Sequence, residues 1–331
     1  MINKIRKIYN PPVFQGNLKK NKYFEGWYFK LVSSQGKKLA IIPGIALSGK
    51  NSPDNHAFIQ IIDGSTTETH YITFDLDEFT SRSGWFQVQL GNCSFSHEEI
   101  RLDLDKEDVR IAGKVKMLNR QPIPVSFLSP GIMGWYSFLP FMECYHGILS
   151  MNHRLIGNIQ VNQKVYDFNE GKGYAEKDWG RSFPKAWIWI QSNHFTSNEQ
   201  ISLMLSIADI PWLGNFFIGF LCIIWLNGTF YKFTTYTGSK IKKFNYENNR
   251  LHVVIENKKY RLELSTSQNK SGILKAPEIG KMNRTIKESL DAKINVILHH
   301  KKRGKVLMED SGKHAGFEMV GDINHLIDNI D

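Results

Sequence analysis

Apolar and polar residues alternate with a period of two along much of this chain, whereas the 3.6-residue period of an amphipathic helix is scarce. From Val109 to Met117 the odd-numbered residues are apolar or Gly, and three of the residues between them are basic. Residues 260–265 repeat the pattern. Such alternation puts one face of a strand in a core and the other in solvent. It predicts half-buried antiparallel strands.

Many short segments of this kind follow one another, separated by turn signals such as Asp63-Gly64 and Asn227-Gly228. Numerous short strands at near-regular spacing predict an all-β fold of sandwich or barrel sheets with few helices. The 331 residues amount to about two typical domains. The Gly- and Pro-containing stretch 171–184 is the predicted boundary, which gives domains 1–183 and 184–331. A Pro-rich loop, 121–140, is predicted to cross the surface of the first domain or its mouth.

The uncharged segment Ile210–Tyr231 is long enough to span a bilayer. Pro211, Gly214 and the pair Asn227-Gly228 interrupt it, and Asn-Gly between apolar runs is a strong hairpin signal. We predict two buried strands here. A transmembrane helix and a flap that touches a membrane are the alternatives.

Charge and motif content exclude several functional classes. The formal net charge is +10, but no stripe of Arg and Lys interleaves with stacking aromatics, so nucleic acid is not an expected partner. The three Cys lack ligand spacing, and adjacent His299 and His300 point to opposite faces of a strand, so no metal is expected. No phosphate-binding loop, dinucleotide fingerprint or serine nucleophile elbow is present.

The same features bear on location. Free cysteines indicate a reducing compartment. The basic N-terminus is not followed by an apolar run of the signal-peptide type. A cytoplasmic protein is therefore expected.

Carboxylates and aromatic side chains are interleaved in segments that are unusually rich in Trp. In residues 23–30, strand alternation puts Glu25 on the same face as Trp27. A carboxyl group in such apolar surroundings is favoured in its protonated form. Residues 173–180 contain Glu176 and Asp178. Either segment can supply a buried acid, and a structural carboxylate paired with a cation is the alternative.

Two further segments carry candidate side chains. On a strand, residues 187–193 present indoles beside amides on one face, namely Trp187, Trp189, Gln191 and Asn193. His194 lies at the end of that strand. It is a further candidate for the site, and a purely structural histidine is the alternative. Cys144 lies two residues from His146, but nothing supplies the third group or the oxyanion loop that a cysteine nucleophile needs.

These motifs resemble the tocopherol cyclase family. The resemblance rests on YFEGWYFK at 23–30, HAFIQIIDG at 56–64, GYAEKDWGRSFP at 173–184 and WIWIQSNHF at 187–195, with a weaker similarity at 274–277 and 305–321. The chain is also distantly similar to two-domain lipocalin-like proteins, including carotenoid hydratases and decalin-forming cyclases. The resemblance implies two lipocalin-like antiparallel β-barrel or sandwich domains.

The family further implies a membrane-associated cyclase that closes the chromanol ring of a prenylated hydroquinone without a redox cofactor. Glu25 is the first expected acid and Glu176 the second, followed by Glu143 and by Asp178, where plant members carry Asn. His146 is expected to help position the nucleophilic oxygen, as is Asn193. The expected substrate-binding side chains are Trp27, Tyr28, Trp179, Trp187, Trp189, Gln191, Asn193 and His194.

Two functions follow from these features. The first is acid-catalysed, cofactor-free cyclisation or hydration of a prenylated quinol or another isoprenoid lipid, in which a carbocation is held over aromatic faces. The second is a non-catalytic, lipocalin-like carrier of a lipid or quinol. Both take a hydrophobic small molecule as partner. Peripheral contact with the inner face of the cell membrane is expected through the tip around Pro211–Phe216.

Overall fold

A computed structural model describes residues 6–106, 108–197, 200–267 and 270–330. The described residues form 22 strands: β1 Tyr23–Val32, β2 Lys38–Leu47, β3 His56–Asp63, β4 Thr69–Phe74, β5 Phe79–Ser81, β6 Gln87–Leu90, β7 Cys93–Ser96, β8 Glu99–Lys106, β9 Val109–Leu118, β10 Cys144–Val161, β11 Lys164–Asp167, β12 Lys172–Gly180, β13 Trp187–Ser192, β14 Ile201–Trp212, β15 Asn215–Leu226, β16 Thr229–Thr234, β17 Lys240–Glu247, β18 Arg250–Glu256, β19 Tyr260–Ser267, β20 Gly272–Glu278, β21 Lys281–His300 and β22 Lys305–Val320.

Helices are few and short. Residues 6–8 are helical, and a second α-helix spans Ile323–Asp328. The 3₁₀ turns are Leu76–Glu78, Gly134–Phe138, Thr235–Thr237 and Lys301–Arg303. The prediction of an all-β fold with few helices is confirmed.

The strands form two antiparallel sheets. The first has the order β4-β3-β2-β1-β12-β10-β9-β8-β7-β6-β5, with β11 paired to β10. The second has the order β16-β15-β14-β13-β22-β21-β19-β18-β17, with β20 paired to β21. Most neighbours in each sheet are consecutive strands, as expected of hairpin-connected antiparallel β domains.

The chain divides into two compact units. The first comprises Met1–Phe183 and Ile273–Ile286, and the second comprises Pro184–Gly272 and Lys287–Asp331. The hairpin at 273–286 packs with the first unit, where the Gln60 side chain accepts a hydrogen bond from the backbone N–H of Lys275 at 2.7 Å and donates one to its carbonyl at 3.2 Å. The sequence-based division assigns this hairpin to the second domain instead, because chain order alone carries no information on such a long-range contact.

One face of the first sheet encloses a large apolar core. Trp27, Phe29 and Leu31 of β1 lie in it together with Ile111 and Val115 of β9. The alternation from Val109 onwards is confirmed, since the odd-numbered side chains of β9 point inward. Burial of each large apolar side chain contributes roughly 1.5–3 kcal/mol. The even-numbered residues of β1 face the opposite side of the sheet.

Strand β12 is the main departure from the predicted organisation. The predicted boundary stretch 171–184 contains the division between the two units at Phe183 and Pro184, but most of it is β12, a central strand that pairs with both β1 and β10. Its glycines allow close packing: a Cβ on Gly173 would lie 2.2 Å from Nε2 of His153, and one on Gly180 would lie 2.3 Å from the carbonyl oxygen of Glu143. Glycine in a strand can mark such an approach as readily as a turn, so the glycines of this stretch do not by themselves reveal β12.

The uncharged segment 210–231 forms hairpins in the second unit. β14 and β15 are joined through Leu213-Gly214, and β15 and β16 through Asn227-Gly228. The φ angles of Asn227 and Gly228 are 47° and 82°, as a type I′ turn requires. The predicted strands and hairpin are confirmed. Among the described residues, no helix is both long and apolar enough to cross a membrane.

Candidate active site

The predicted site residues of the first unit separate onto two faces of one sheet region. β12 lies between β1 and β10, and its side chains alternate between the faces. One face carries Glu25, Trp27, Lys177 and Trp179. The other carries Tyr28, His146, Tyr174, Glu176 and Asp178.

On the first face, Glu25 forms a buried ion pair with Lys177. The Nζ atom lies 2.5 Å from Oε1, and both side chains are fully buried. Oε1 also accepts the N–H of Gln15 at 2.8 Å, and Oε2 accepts the N–H of Gly16 at 2.9 Å and the hydroxyl of Tyr23. Both carboxylate oxygens of Glu25 are therefore occupied by donors.

Lys177 is equally well satisfied. Its ammonium group donates to the carbonyl oxygens of Pro11 at 2.8 Å and Val13 at 2.6 Å, and it lies 4.8 Å from the ring centroids of Trp27 and of Trp179. Burial lowers the pKa of Lys177 to about 8, and the charge of Glu25 opposes that fall. The ion pair ties the segment that follows Pro11 to the sheet.

These contacts change the interpretation of the first predicted acid. An acid for alkene protonation is expected to have no cationic neighbour, and Glu25 does not meet that condition because Lys177 contacts it. Trp27 is fully buried, stacks on Phe86 at 6.0 Å and donates its indole N–H to Pro12. We infer that this face is structural.

On the second face, His146 lies between two carboxylates. Its Nδ1 is 2.9 Å from Oδ1 of Asp178, and its Nε2 is 3.5 Å from Oε2 of Glu176. The strand register explains the arrangement, since His146 is paired with Asp178, and Ile148 with Glu176. The His146 side chain is 13% exposed and that of Glu176 only 6%.

The charges of this cluster keep a proton on the imidazole. Burial alone disfavours the imidazolium, but Asp178 and Glu176 outweigh it and raise the pKa of His146 to about 9. His146 is therefore a cation at neutral pH. Its Nε2 makes no hydrogen bond within the described part of the chain, because Glu176 lies at an ion-pair distance only.

Tyr174 completes the cluster. Its hydroxyl donates to Oε2 of Glu176 at 2.5 Å, and the side chain is fully buried. Burial, reinforced by the charge of Glu176, raises the pKa of Tyr174 well above its ordinary value. The phenol therefore stays neutral. Tyr28 is paired with Glu176 across β1 and β12, so its side chain projects from the same face of the sheet as Glu176.

The remaining candidates near the cluster have other surroundings. Sγ of Cys144 lies 4.0 Å from Oδ1 of Asp178, and burial together with nearby carboxylates raises the thiol pKa well above its ordinary value. A neutral thiol is a poor nucleophile. Glu143 precedes β10, and its carbonyl oxygen accepts the N–H of Arg181 at 2.8 Å.

The cluster also has the composition of a metal site. Ligand atoms of His146, Glu176 and Asp178 all lie within 4.8 Å of one another, close enough for a divalent cation. The two ring nitrogens of His146, however, face different carboxylates. A metal ion that bound all three residues would have to displace a ring proton and move the imidazole from its place between the two carboxylates. This geometry suits a shared proton, and the absence of a metal stays a prediction.

The other predicted residues belong to β13 of the second unit. As the alternation predicts, Ile188 and Ile190 lie in the core of that unit, and Trp187, Trp189 and Gln191 face the other side. The indole N–H of Trp187 donates to Glu318 at 2.6 Å. Past the strand, Asn193 is fully buried, and the ring of His194 lies 5.5 Å from that of His314. Their expected role in binding substrate stays a prediction.

Tyr174 and Lys177 are the residues that sequence reasoning did not assign to a role. Tyr174 lies two residues before Glu176, so strand alternation alone could have placed it beside that carboxyl group. The role of Lys177 could be recognised only from the pairing of β1 with β12, which places Lys177 opposite Trp27 and on the same face as Glu25.

A family model described as "Tocopherol cyclase-like" matches residues 126–321. A tocopherol cyclase from Zea mays is 25% identical over 197 residues, which cover 57% of this chain and 41% of that protein. A probable tocopherol cyclase from Oryza sativa subsp. japonica is 28% identical over 109 residues, which cover 32% of this chain and 23% of that protein. The chain thus aligns with less than half the length of either relative.

Solved structures share the fold. CghA superimposes with a TM-score of 0.56 at 9% identity, covering 94% of this chain and 89% of that one. Kievitone hydratase from Nectria haematococca gives a TM-score of 0.50 at 11% identity, with 94% of each chain covered. The predicted architecture of two lipocalin-like antiparallel domains is confirmed. Because the family model matches more than half of the chain, the protein belongs to the tocopherol cyclase-like family.

Proposed function

We propose that this protein catalyses the acid-dependent cyclisation or hydration of an isoprenoid lipid, with a prenylated hydroquinone as the preferred class of substrate. The observation that carries the proposal is the His146 imidazolium between Glu176 and Asp178. A buried imidazolium can act as a general acid, and the two carboxylates beside it can act as general bases. Family membership supports the same chemistry.

The proposed reaction begins with proton transfer to a C=C bond. The proton held by His146 reaches the substrate by way of Glu176, whose Oε2 lies 3.5 Å from Nε2 and next to the neutral hydroxyl of Tyr174. Asp178 holds Nδ1 and so orients the ring.

The reaction ends when an oxygen traps the carbocation. A phenol oxygen of the same molecule gives a ring, and water gives an alcohol. One C–H bond and one C–O bond form, while the alkene π bond and one O–H bond break, and the O–H proton returns to His146. No electrons are gained or lost, so the step requires no redox partner. The Tyr28 side chain projects from the same face of the sheet as the cluster, so its ring can stabilise positive charge on the substrate.

The proposal predicts a product of defined mass. Incubated with a prenylated hydroquinone, the protein is expected to give an isomer of the substrate, and with a plain isoprenoid alkene a product heavier by one water. Liquid chromatography with mass spectrometry measures both, with heat-unfolded protein as the control. Saturable binding of both compounds without any product would contradict the proposal and favour a lipid carrier.

A further inference from the structure

The stretch from Gln121 to Met142 contains no acidic, basic or histidine side chain over 22 residues. It forms the loop between β9 and β10, with a single 3₁₀ turn at Gly134–Phe138. Large apolar side chains on it face solvent: Phe127 is 82% exposed and Leu128 is 71% exposed. The others are Val125, Trp135, Phe138 and Phe141. An exposed apolar surface of this extent indicates a binding surface.

The tip of this loop has a defined conformation. Ser126 and Ser129 bridge through two backbone hydrogen bonds of 2.8 and 3.1 Å, which leaves Phe127 and Leu128 at the apex of a tight turn. The carbonyl oxygen of Phe127 accepts the hydroxyl of Tyr9 at 2.6 Å. The backbone of the tip is therefore held in place while its two apolar side chains project outward.

The chemistry of the loop matches a lipid surface better than a protein groove. Insertion of a charged side chain into a membrane would cost the free energy of removing its water, and this loop has no charged side chain. Trp135 and Tyr136 supply the amphipathic rings that favour the level of the lipid headgroups. The net charge of +10 attracts the whole molecule to an anionic membrane.

We propose that the loop 121–142 docks the protein on a lipid membrane, with Phe127 and Leu128 inserted among the acyl chains. This surface differs from the tip around Pro211–Phe216 that the sequence suggests. Docking does not depend on the proposed reaction.

The loop also contacts the strand that carries His146. Sδ of Met133 lies 3.0 Å from the backbone nitrogen of His146, and the hydroxyl of Tyr145 donates to the carbonyl of Leu139. If the proposed function is correct, a docked loop places the cluster beside the lipid phase from which an isoprenoid substrate must come.

Flotation with vesicles tests the docking surface. The probes are vesicles of phosphatidylcholine mixed with phosphatidylglycerol. The double substitution Phe127→Asp and Leu128→Asp is expected to lower the partition coefficient by roughly a hundredfold or more, since burying each side chain accounts for about a tenfold preference or better. Thermal unfolding should be unchanged, because both side chains are exposed.

The matched control is Leu213→Asp. Leu213 is 81% exposed at the tip of the β14–β15 hairpin, so it offers the same chemistry at the other candidate tip. Its variant should bind vesicles like the unsubstituted protein. Absence of binding by the unsubstituted protein, or loss of binding in Leu213→Asp alone, would overturn the proposal. The His146→Asn variant should still bind vesicles, which separates a failure of docking from a failure of the reaction.

Discussion

Replacing His146 with Asn is expected to lower turnover of a prenylated hydroquinone by roughly 10²–10⁴-fold, the range attributed to general acid–base catalysis. The Asn amide can still occupy the space beside Asp178, but it carries no acidic proton. Ligand affinity should change little, whereas thermal stability should fall because Glu176 and Asp178 lose the cation between them, so turnover is compared at a temperature at which the variant is folded. Initial rates by chromatography, together with a binding isotherm, measure both effects.

The matched control is His70→Asn. Like His146, His70 contacts a carboxylate, with Nε2 3.4 Å from Glu68, but it lies on β4 and not in the cluster. Its variant should keep full turnover. If His146→Asn retained most of the activity, the cluster would not be the proton source.

The proposed role of His146 also predicts how turnover depends on pH. Asp178 and Glu176 raise the pKa of His146 to about 9, so the imidazolium is present below that pH and is lost as the pH rises through it. Turnover should accordingly decline above about pH 9. Asp178→Asn removes one of the charges that raise the pKa, so it should move this decline to lower pH.

Replacing Lys177 with Met is expected to lower the free energy of unfolding by about 3–5 kcal/mol, because it leaves the Glu25 carboxylate buried without its cation. It also frees the carbonyl oxygens of Pro11 and Val13. Urea titration measures the loss. Adding Glu25→Gln to Lys177→Met should restore part of it, because the uncompensated charge is then removed.

Lys114→Met is the control for this pair. Lys114 contacts Glu99 at 2.6 Å, but its side chain is 53% exposed, and an exposed pair contributes at most about 1 kcal/mol. Equal stability losses at Lys114 and Lys177 would contradict the structural role of the buried pair. A Glu25→Gln variant of normal stability that makes no product would restore Glu25 as the acid.

Much of the strand pattern could be predicted because its cause is local. The alternation at 109–117 and 260–265 predicts strands there, and β9 and β19 occur at 109–118 and 260–267. Alternation of apolar side chains fixes such strands without reference to the rest of the chain. β12 could not be found in this way, because its glycines are required by close contacts with residues distant in the sequence. His153 of β10 approaches Gly173, and Glu143, the residue before β10, approaches Gly180.

The candidate site shows the same limit. Glu176 and Asp178 are two residues apart, so alternation places them on one face of a strand. That His146 lies between them depends on the register of β10 against β12, and that Glu25 meets Lys177 depends on the register of β1 against β12. Registers between distant strands are set by the packed sheet and are not written in any one segment.

Incorporation of deuterium tests the central claim most directly, namely that this protein adds a proton to an alkene. The protein is incubated with a prenylated hydroquinone in deuterium oxide, and the product is analysed by mass spectrometry and NMR. The account predicts a cyclised product with one deuterium on a carbon of the former double bond, and no such product from His146→Asn. A product without carbon-bound deuterium, or the same labelled product from His146→Asn, would contradict it.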